Sequence, residues 1–159
     1  MLAREDRRLP EPGFLERLFF QELEACGIKT GPFNLPDWVE NVDGFHAMLD
    51  RLFRHTPPTA LLVSEVPLFI AARDHLARRG ILAPEDVSLV CQNPDIGFAW
   101  NQPAISHIRW EATPLVRRVV KWADNIARGK DDRRISSFKA EFVEGGMIGP
   151  AKLDAPGRR

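Results

Sequence analysis

The chain has 159 residues and a mass of 18.0 kDa, with 22 Lys plus Arg against 22 Asp plus Glu, 44% hydrophobic residues and two cysteines. A chain of this length can bury roughly 70% of its unfolded surface, so it needs no disulfide or metal to hold a core. The balanced charge argues against a nucleic-acid-binding surface, which needs clustered Lys and Arg; Arg7-Arg8, Arg117-Arg118 and Arg133-Arg134 are pairs only and read as solvated faces and turns.

The start, MLAREDRRLPEPG, is charged and proline-containing and lacks the apolar segment of a secretory signal. No window approaches the ~18 apolar residues of a membrane span, so the expected location is the cytoplasm, with no membrane partner. Residues 1–12 read as a polar lead, 13–150 as the folded unit and 151–159 as a disordered tail. Phe14, Leu15, Leu18, Phe19, Leu23 and Cys26 recur at three- and four-residue steps before Gly27, which predicts a helix with a glycine C-terminal cap. A short extended piece is expected around residues 33–35. Phe45, Met48, Leu49, Leu52 and Phe53 form the stripe of a second helix, with Asp43 as its expected N-cap.

Residues 59–63, TALLV, are a continuous apolar run entered through Pro57-Pro58 and read as a strand buried on both faces. Pro67 suits the first turn of a helix running over 68–79 to Gly80. Residues 86–91 are a second buried strand, 92–104 a loop and 105–110 a third strand. Pro114 opens the most regular helix, with Leu115, Val116, Val119, Val120, Ala123 and Ile126 on one face and Gly129 at its end. After the charged turn 130–134, Phe138, Ala140 and Phe142 alternate with Lys139, Glu141 and Val143 as a last strand. Residues 145–149 read as a terminal turn. Helices of 10 to 15 residues alternating with short apolar strands predict an α/β fold with a doubly wound parallel sheet. In such sheets ligands bind beyond the carboxyl ends of the strands.

The chemistry of enzymes is poorly represented. No phosphate-cradling glycine loop follows a strand, and Ser64 lacks the flanking glycines of a nucleophile elbow. His46, His55, His75 and His107 share no ligand spacing, and Cys26 and Cys91 lie too far apart for a zinc site, so no metal and no cofactor is expected and both thiols read as buried and reduced. Trp38, Ser64-Glu65, Asn93, Asp95 and Trp110-Glu111 remain at strand ends. Amides and carboxylates beside an indole are suited to gripping a carbohydrate. In the alternative reading Trp38 and Trp110 are core and Glu65 is a helix-start acid favoured by the dipole.

Three stretches, PTALLVSE, IAARDHLARRGILAPEDVSLV and QPAISHIRW, resemble the sensor domain of LacI/GalR-type transcription regulators, with RRGILAPEDVSLV the most specific. Weaker similarity runs from GFLERL through DW and GFHAMLDRL to AEFVEGGMIGP, about 135 residues in all. The resemblance implies the C-terminal lobe of a type I periplasmic-binding-protein-like sensor, without its DNA-binding head and most of the other lobe, so that DNA is reached only through a head absent from this chain. It implies no enzyme activity, a small sugar-like effector in the cleft between lobes, and a homodimer. The effector positions fall on Trp38, Glu65, Asn93, Asp95 and Trp110, and the family's effector Arg, three residues before Gly13-Phe14, is Pro10. The dimer surface falls on Phe69, Ile70, Phe98 and Trp100, Phe69 reading equally as core. By the resemblance, residues 105–126 cross back toward the missing lobe, which leaves Leu115, Val119, Val120 and Trp122 needing a cover, either the chain's own sheet or a second molecule. Two rival readings stand beside this one: a fragment that senses nothing and acts by pairing with itself or with full-length regulators, and a small flavodoxin-like enzyme supported by architecture alone.

Overall fold

A computed structural model of the chain describes residues 1–8 and 13–150. The expected tail over 151–159 and Pro10 lie outside the described residues. The described residues form α-helices α1 (Phe14–Ala25), α2 (Val42–His55), α3 (Val66–Ala77) and α4 (Ala112–Ala127) and strands β1 (Ala60–Val63), β2 (Ser88–Cys91), β3 (Ser106–Trp110) and β4 (Ala140–Val143), in the order α1-α2-β1-α3-β2-β3-α4-β4.

The sheet order is β1-β2-β3-β4. β1 and β2 are parallel from Ala60↔Ser88 to Val63↔Cys91, and β2 and β3 are parallel through Val90↔Ser106 and Cys91↔His107. β4 departs from the all-parallel expectation: it returns antiparallel to β3, with His107↔Val143 and Trp110↔Ala140. At the other edge Leu2 forms a parallel bridge to Val63, its N–H donating to the Leu62 carbonyl at 2.8 Å and its own carbonyl accepting from Ser64 N–H at 2.9 Å. Leu2 is fully buried, so the start of the lead is part of the core rather than a polar arm.

Alternation along β1 sends neighbouring side chains to opposite faces. Leu61 and Val63, with Leu89 and Cys91 of β2, meet Phe45, Met48, Leu49 and Leu52 of α2 and Leu68, Phe69, Ala72 and Leu76 of α3. Leu62 points the other way, toward Met1, Ala3, Leu35 and the α1 rings Phe19 and Phe20. Helices therefore cover both faces of the sheet, which is the doubly wound arrangement.

Local chemistry moved several boundaries. Residues 33–35 are not extended: Pro32–Asn34 is a 3₁₀ turn, because the Asn34 Oδ1 accepts from Gly31 N–H at 2.7 Å and Asn34 N–H donates back to Gly31 O at 3.0 Å. The N-cap of α2 is Asn41, whose Oδ1 accepts from Gly44 N–H at 2.7 Å, and not Asp43. β2 starts two residues late because the Asp86 carboxylate accepts from Leu82 N–H at 2.9 Å and closes a turn there. Within the expected loop 92–104, Ile96–Trp100 forms a 3₁₀ helix. Cys91 is buried, as expected, but Cys26 is exposed at the C-cap of α1; both thiols are free.

After β4 the chain turns at Gly145, where φ is +56° and an added Cβ would lie 2.7 Å from the Ala104 carbonyl oxygen, a position that only glycine fills. Met147 then passes into the core and accepts from Leu89 N–H at 2.9 Å, so the turn over 145–149 also extends β2's hydrogen bonding.

The cover for α4 is not the chain's own sheet. The helix contributes no buried residue, and Leu115, Val116, Val119, Val120, Trp122 and Ile126 are 38–63% exposed. Its ties are polar instead. Asp132, almost fully buried, accepts from Arg118 at 2.8 Å, from Arg134 at 2.8 Å and from Asn125 at 2.7 Å. Hydrogen bonds from Arg134 and Asn125 hold its carboxyl well below the usual carboxylate range, against the opposing effect of burial. These bonds fix the 130–134 turn on the helix while the apolar face stays open.

Candidate functional site

The carboxyl ends of β1 and β2 carry Ser64 and the pair Gln92-Asn93, and Trp110 ends β3. These residues, with Met1, Ala3, Arg8, Leu15 and Glu16, line a cavity of about 210 Å³. Its position follows from the topology: strands end, the chain leaves the sheet, and side chains of successive loops converge on one crevice.

Arg8 and Glu16 form its polar wall. The Arg8 guanidinium donates from Nη1 to Asp37 Oδ1 at 2.5 Å and from Nη2 to Glu16 Oε1 at 3.3 Å, while Glu16 Oε2 accepts from Gly13 N–H at 3.1 Å. Burial works against the Arg8 charge, but the hydrogen bonds and fields of Asp37 and Glu16 outweigh it and raise the guanidinium pKa above its ordinary value. Two polar atoms of wall residues, Arg8 Nε and Ser64 Oγ, are buried without a hydrogen-bond partner among the described residues. The Met1 amine is also inside and donates to the Asn34 carbonyl; burial lowers its pKa to about 5.

Of the five residues expected to bind effector, Asn93 and Trp110 line this cavity. Asn93 Nδ2 donates to the Ser64 carbonyl at 2.9 Å, which ties the ends of β1 and β2 together, and Trp110 is 38% exposed. Trp38 lies elsewhere. It is edge-on to Phe45 at 4.9 Å, its Nε1 donates to the Ala3 carbonyl at 3.3 Å, and it lines a second cavity of about 270 Å³ with Arg4, Asn41, His46 and Leu68. Glu65 occupies the N-cap of α3 and pairs with Arg4 at 3.3 Å, a solution to the cost of an unmatched carboxylate at this edge. Asp95 caps the 3₁₀ helix, its Oδ1 accepting from Gly97 N–H at 2.7 Å.

The four residues expected at a dimer surface divide in the same way. Phe69 and Phe98 lie in the core with ring centroids 6.0 Å apart, whereas Ile70 is 41% and Trp100 is 88% exposed, beside Ile96 at 92%. Among the described residues no group of three or more His, Cys, Asp and Glu is placed to hold a metal ion, and no helix is long and apolar enough to cross a membrane.

Sequence reasoning missed Arg8, Glu16 and Gln92 as site residues. Glu16 carried a usable signal, since a Glu at the third position of a helix reaches back to the N-cap N–H. Nothing in the sequence marks Arg8, which stands two residues before the position where the LacI/GalR resemblance expects an arginine.

The family model of the periplasmic binding protein-like domain matches residues 1–146. The chain belongs to this family. The periplasmic-binding-protein-like chain is 24% identical over 131 residues to the HTH-type transcriptional repressor PurR of Pasteurella multocida, covering 79% of this chain and 38% of that protein. Its fold matches a sugar-binding LacI-family transcriptional regulator from Escherichia coli, solved with phosphate, with a TM-score of 0.71 and 20% identity over 94% of this chain and 54% of that one. A LacI-family regulator from Bifidobacterium animalis subsp. lactis gives 0.72 and 16% over 91% and 53%. The E. coli repressor ascG gives 0.68 and 20% over 92% and 54%. These relatives are transcriptional regulators rather than enzymes, and the fold of the chain is that of the LacI-family effector domain. The chain spans about half the length of these solved relatives and 38% of the PurR protein.

Proposed function

We propose that the periplasmic-binding-protein-like chain is a ligand-sensing portion of a LacI-type transcriptional regulator that takes a small sugar-like effector in the cavity at the ends of β1, β2 and β3, and that it works in the cytoplasm. The observation that carries this reading is the pair of unpartnered buried polar atoms, Arg8 Nε and Ser64 Oγ, on the wall of a cavity lying where this fold binds ligands. Buried donors without partners are costly, and a hydroxyl-rich ligand supplies the missing partners. The Trp110 indole offers the apolar surface on which the less polar face of a sugar ring rests.

Calorimetric titration with a panel of pentoses, hexoses and uronic acids tests this. At least one member is expected to bind, and Trp110→Ala to weaken it by about ten-fold, the size of one aromatic contact of ~1.4 kcal/mol. Silence across the panel, or unchanged affinity in Trp110→Ala, would remove the sensing role.

Self-association is the second part of the reading, favoured by the exposure of Trp100 and Ile96 on one 3₁₀ helix and of Ile70 on α3. Exposed aromatic and aliphatic side chains on one short apolar segment such as Ile96–Trp100 are the kind of surface that interfaces are enriched in. Light scattering is expected to show a dimer that Trp100→Asp converts to a monomer; a strict monomer at high concentration contradicts it. DNA contact, in this reading, belongs to a head domain of the kind that HTH-type relatives carry.

A further inference from the structure

We infer that Asp37 and Arg8 make the cavity select an uncharged polyol over its carboxylate analogue, with Ser64 supplying the hydroxyl that engages the ligand; this rests on the reading that the cavity holds a sugar-like effector.

The argument is one of charge already matched. Arg8 is the cation of the cavity wall, and both of its terminal nitrogens are occupied, Nη1 by Asp37 at 2.5 Å and Nη2 by Glu16 at 3.3 Å. Among the described residues, Arg8 is thus matched by two carboxylates, Glu16 on the cavity wall and Asp37 at its outer edge. Arg4, the next guanidinium along this edge, is paired with Glu65. An incoming carboxylate therefore gives up its hydration and meets no unmatched positive charge, while Glu16, with its side chain only 11% exposed, repels it.

What the cavity leaves unfilled is neutral hydrogen-bonding capacity. Arg8 Nε has a proton to donate, and the Ser64 hydroxyl can donate and accept. Ser64 is 6% exposed and rotates about a single torsion, so its hydroxyl can turn to a ligand oxygen in the cavity. Asp37 is the element that sets the charge without building the fold. Its side chain is 89% exposed, and its substitution leaves the core untouched.

The test is calorimetry at neutral pH with D-glucose and D-galactose against D-glucuronate and D-galacturonate, on the natural chain, Asp37→Asn and Ser64→Ala. The natural chain is expected to bind a neutral sugar at least ~10-fold more tightly than the matching uronate. Asp37→Asn keeps a hydrogen-bonding amide beside Arg8 while removing one negative charge, and is expected to narrow the gap to ~3-fold or less. Ser64→Ala is expected to weaken the neutral sugar about 10-fold while leaving the melting temperature of the free chain unchanged or higher, since it removes a buried hydroxyl that has no partner. A merely structural Ser64 would move both readouts together. If the uronate binds as well as the neutral sugar, or Asp37→Asn leaves the gap unchanged, the charge filter is wrong and the sensing role survives. If none of the four probes binds, the sugar-sensing reading falls and takes this inference with it.

Discussion

Phe69→Ala is expected to lower the unfolding free energy by about 3–5 kcal/mol, the largest effect of any single truncation in the chain. Phe69 is fully buried on α3 and joins the α2 stripe to the strands, with Phe98 as its ring neighbour at 6.0 Å. Removing the ring takes away its transfer free energy and leaves a cavity that α2 and α3 cannot close without breaking their packing on Leu61, Val63 and Leu89. Urea unfolding would show it as a lower midpoint with an unchanged slope. The neighbouring substitution Ile70→Ala, on the exposed side of the same helix, is expected to change stability by less than about 0.5 kcal/mol. Equal effects at the two positions would mean that α3 is rotated from the arrangement described.

Arg8→Met is expected to cost both binding and stability, the latter by about 2–3 kcal/mol, because it leaves the Glu16 carboxylate at the cavity wall without its cation. Among the described residues Glu16 then retains the Gly13 N–H, and its side chain is nearly as buried as that of a core residue. The double variant Arg8→Met with Glu16→Gln removes the stranded charge and is expected to regain most of the stability, yet not the affinity for sugar. Thermal melts and calorimetry on the two variants separate the roles. Full stability in Arg8→Met alone would show that Glu16 is held by the backbone and not by the ion pair.

The contrast between α3 and α4 explains what was legible in the sequence. Runs such as TALLV and DVSLV are apolar and β-branched enough to read as inner strands, so the strands, the crossover helix between them and the doubly wound class were legible from composition and period, although only one face of each strand is fully buried and the other is half-covered. The direction of β4 was not legible, because an alternating strand reads the same in either sense and only its pairing with β3 decides. The face of α4 was readable as apolar but its cover was not, since a helix stripe states that something is buried and never names the partner.

At the site, Trp38, Glu65, Asn93, Asp95 and Trp110 were all chosen as strand-end residues and by the resemblance; Asn93 and Trp110 meet in the cavity because the loops after parallel strands converge, whereas the structure sets Trp38 against Phe45 and Glu65 against Arg4. Arg8 escaped notice because its role depends on a fold-back that brings it to Glu16 and, 29 positions away in sequence, to Asp37. No local pattern encodes such a meeting.

The most direct test of the effector-binding claim is a crystal structure of the chain grown with the tightest-binding sugar of the panel. The account predicts the sugar in the cavity at the ends of β1, β2 and β3, with a hydroxyl within about 3 Å of Ser64 Oγ and its ring against Trp110. A sugar seated in the second cavity beside Trp38, with the first one holding only water, would contradict it.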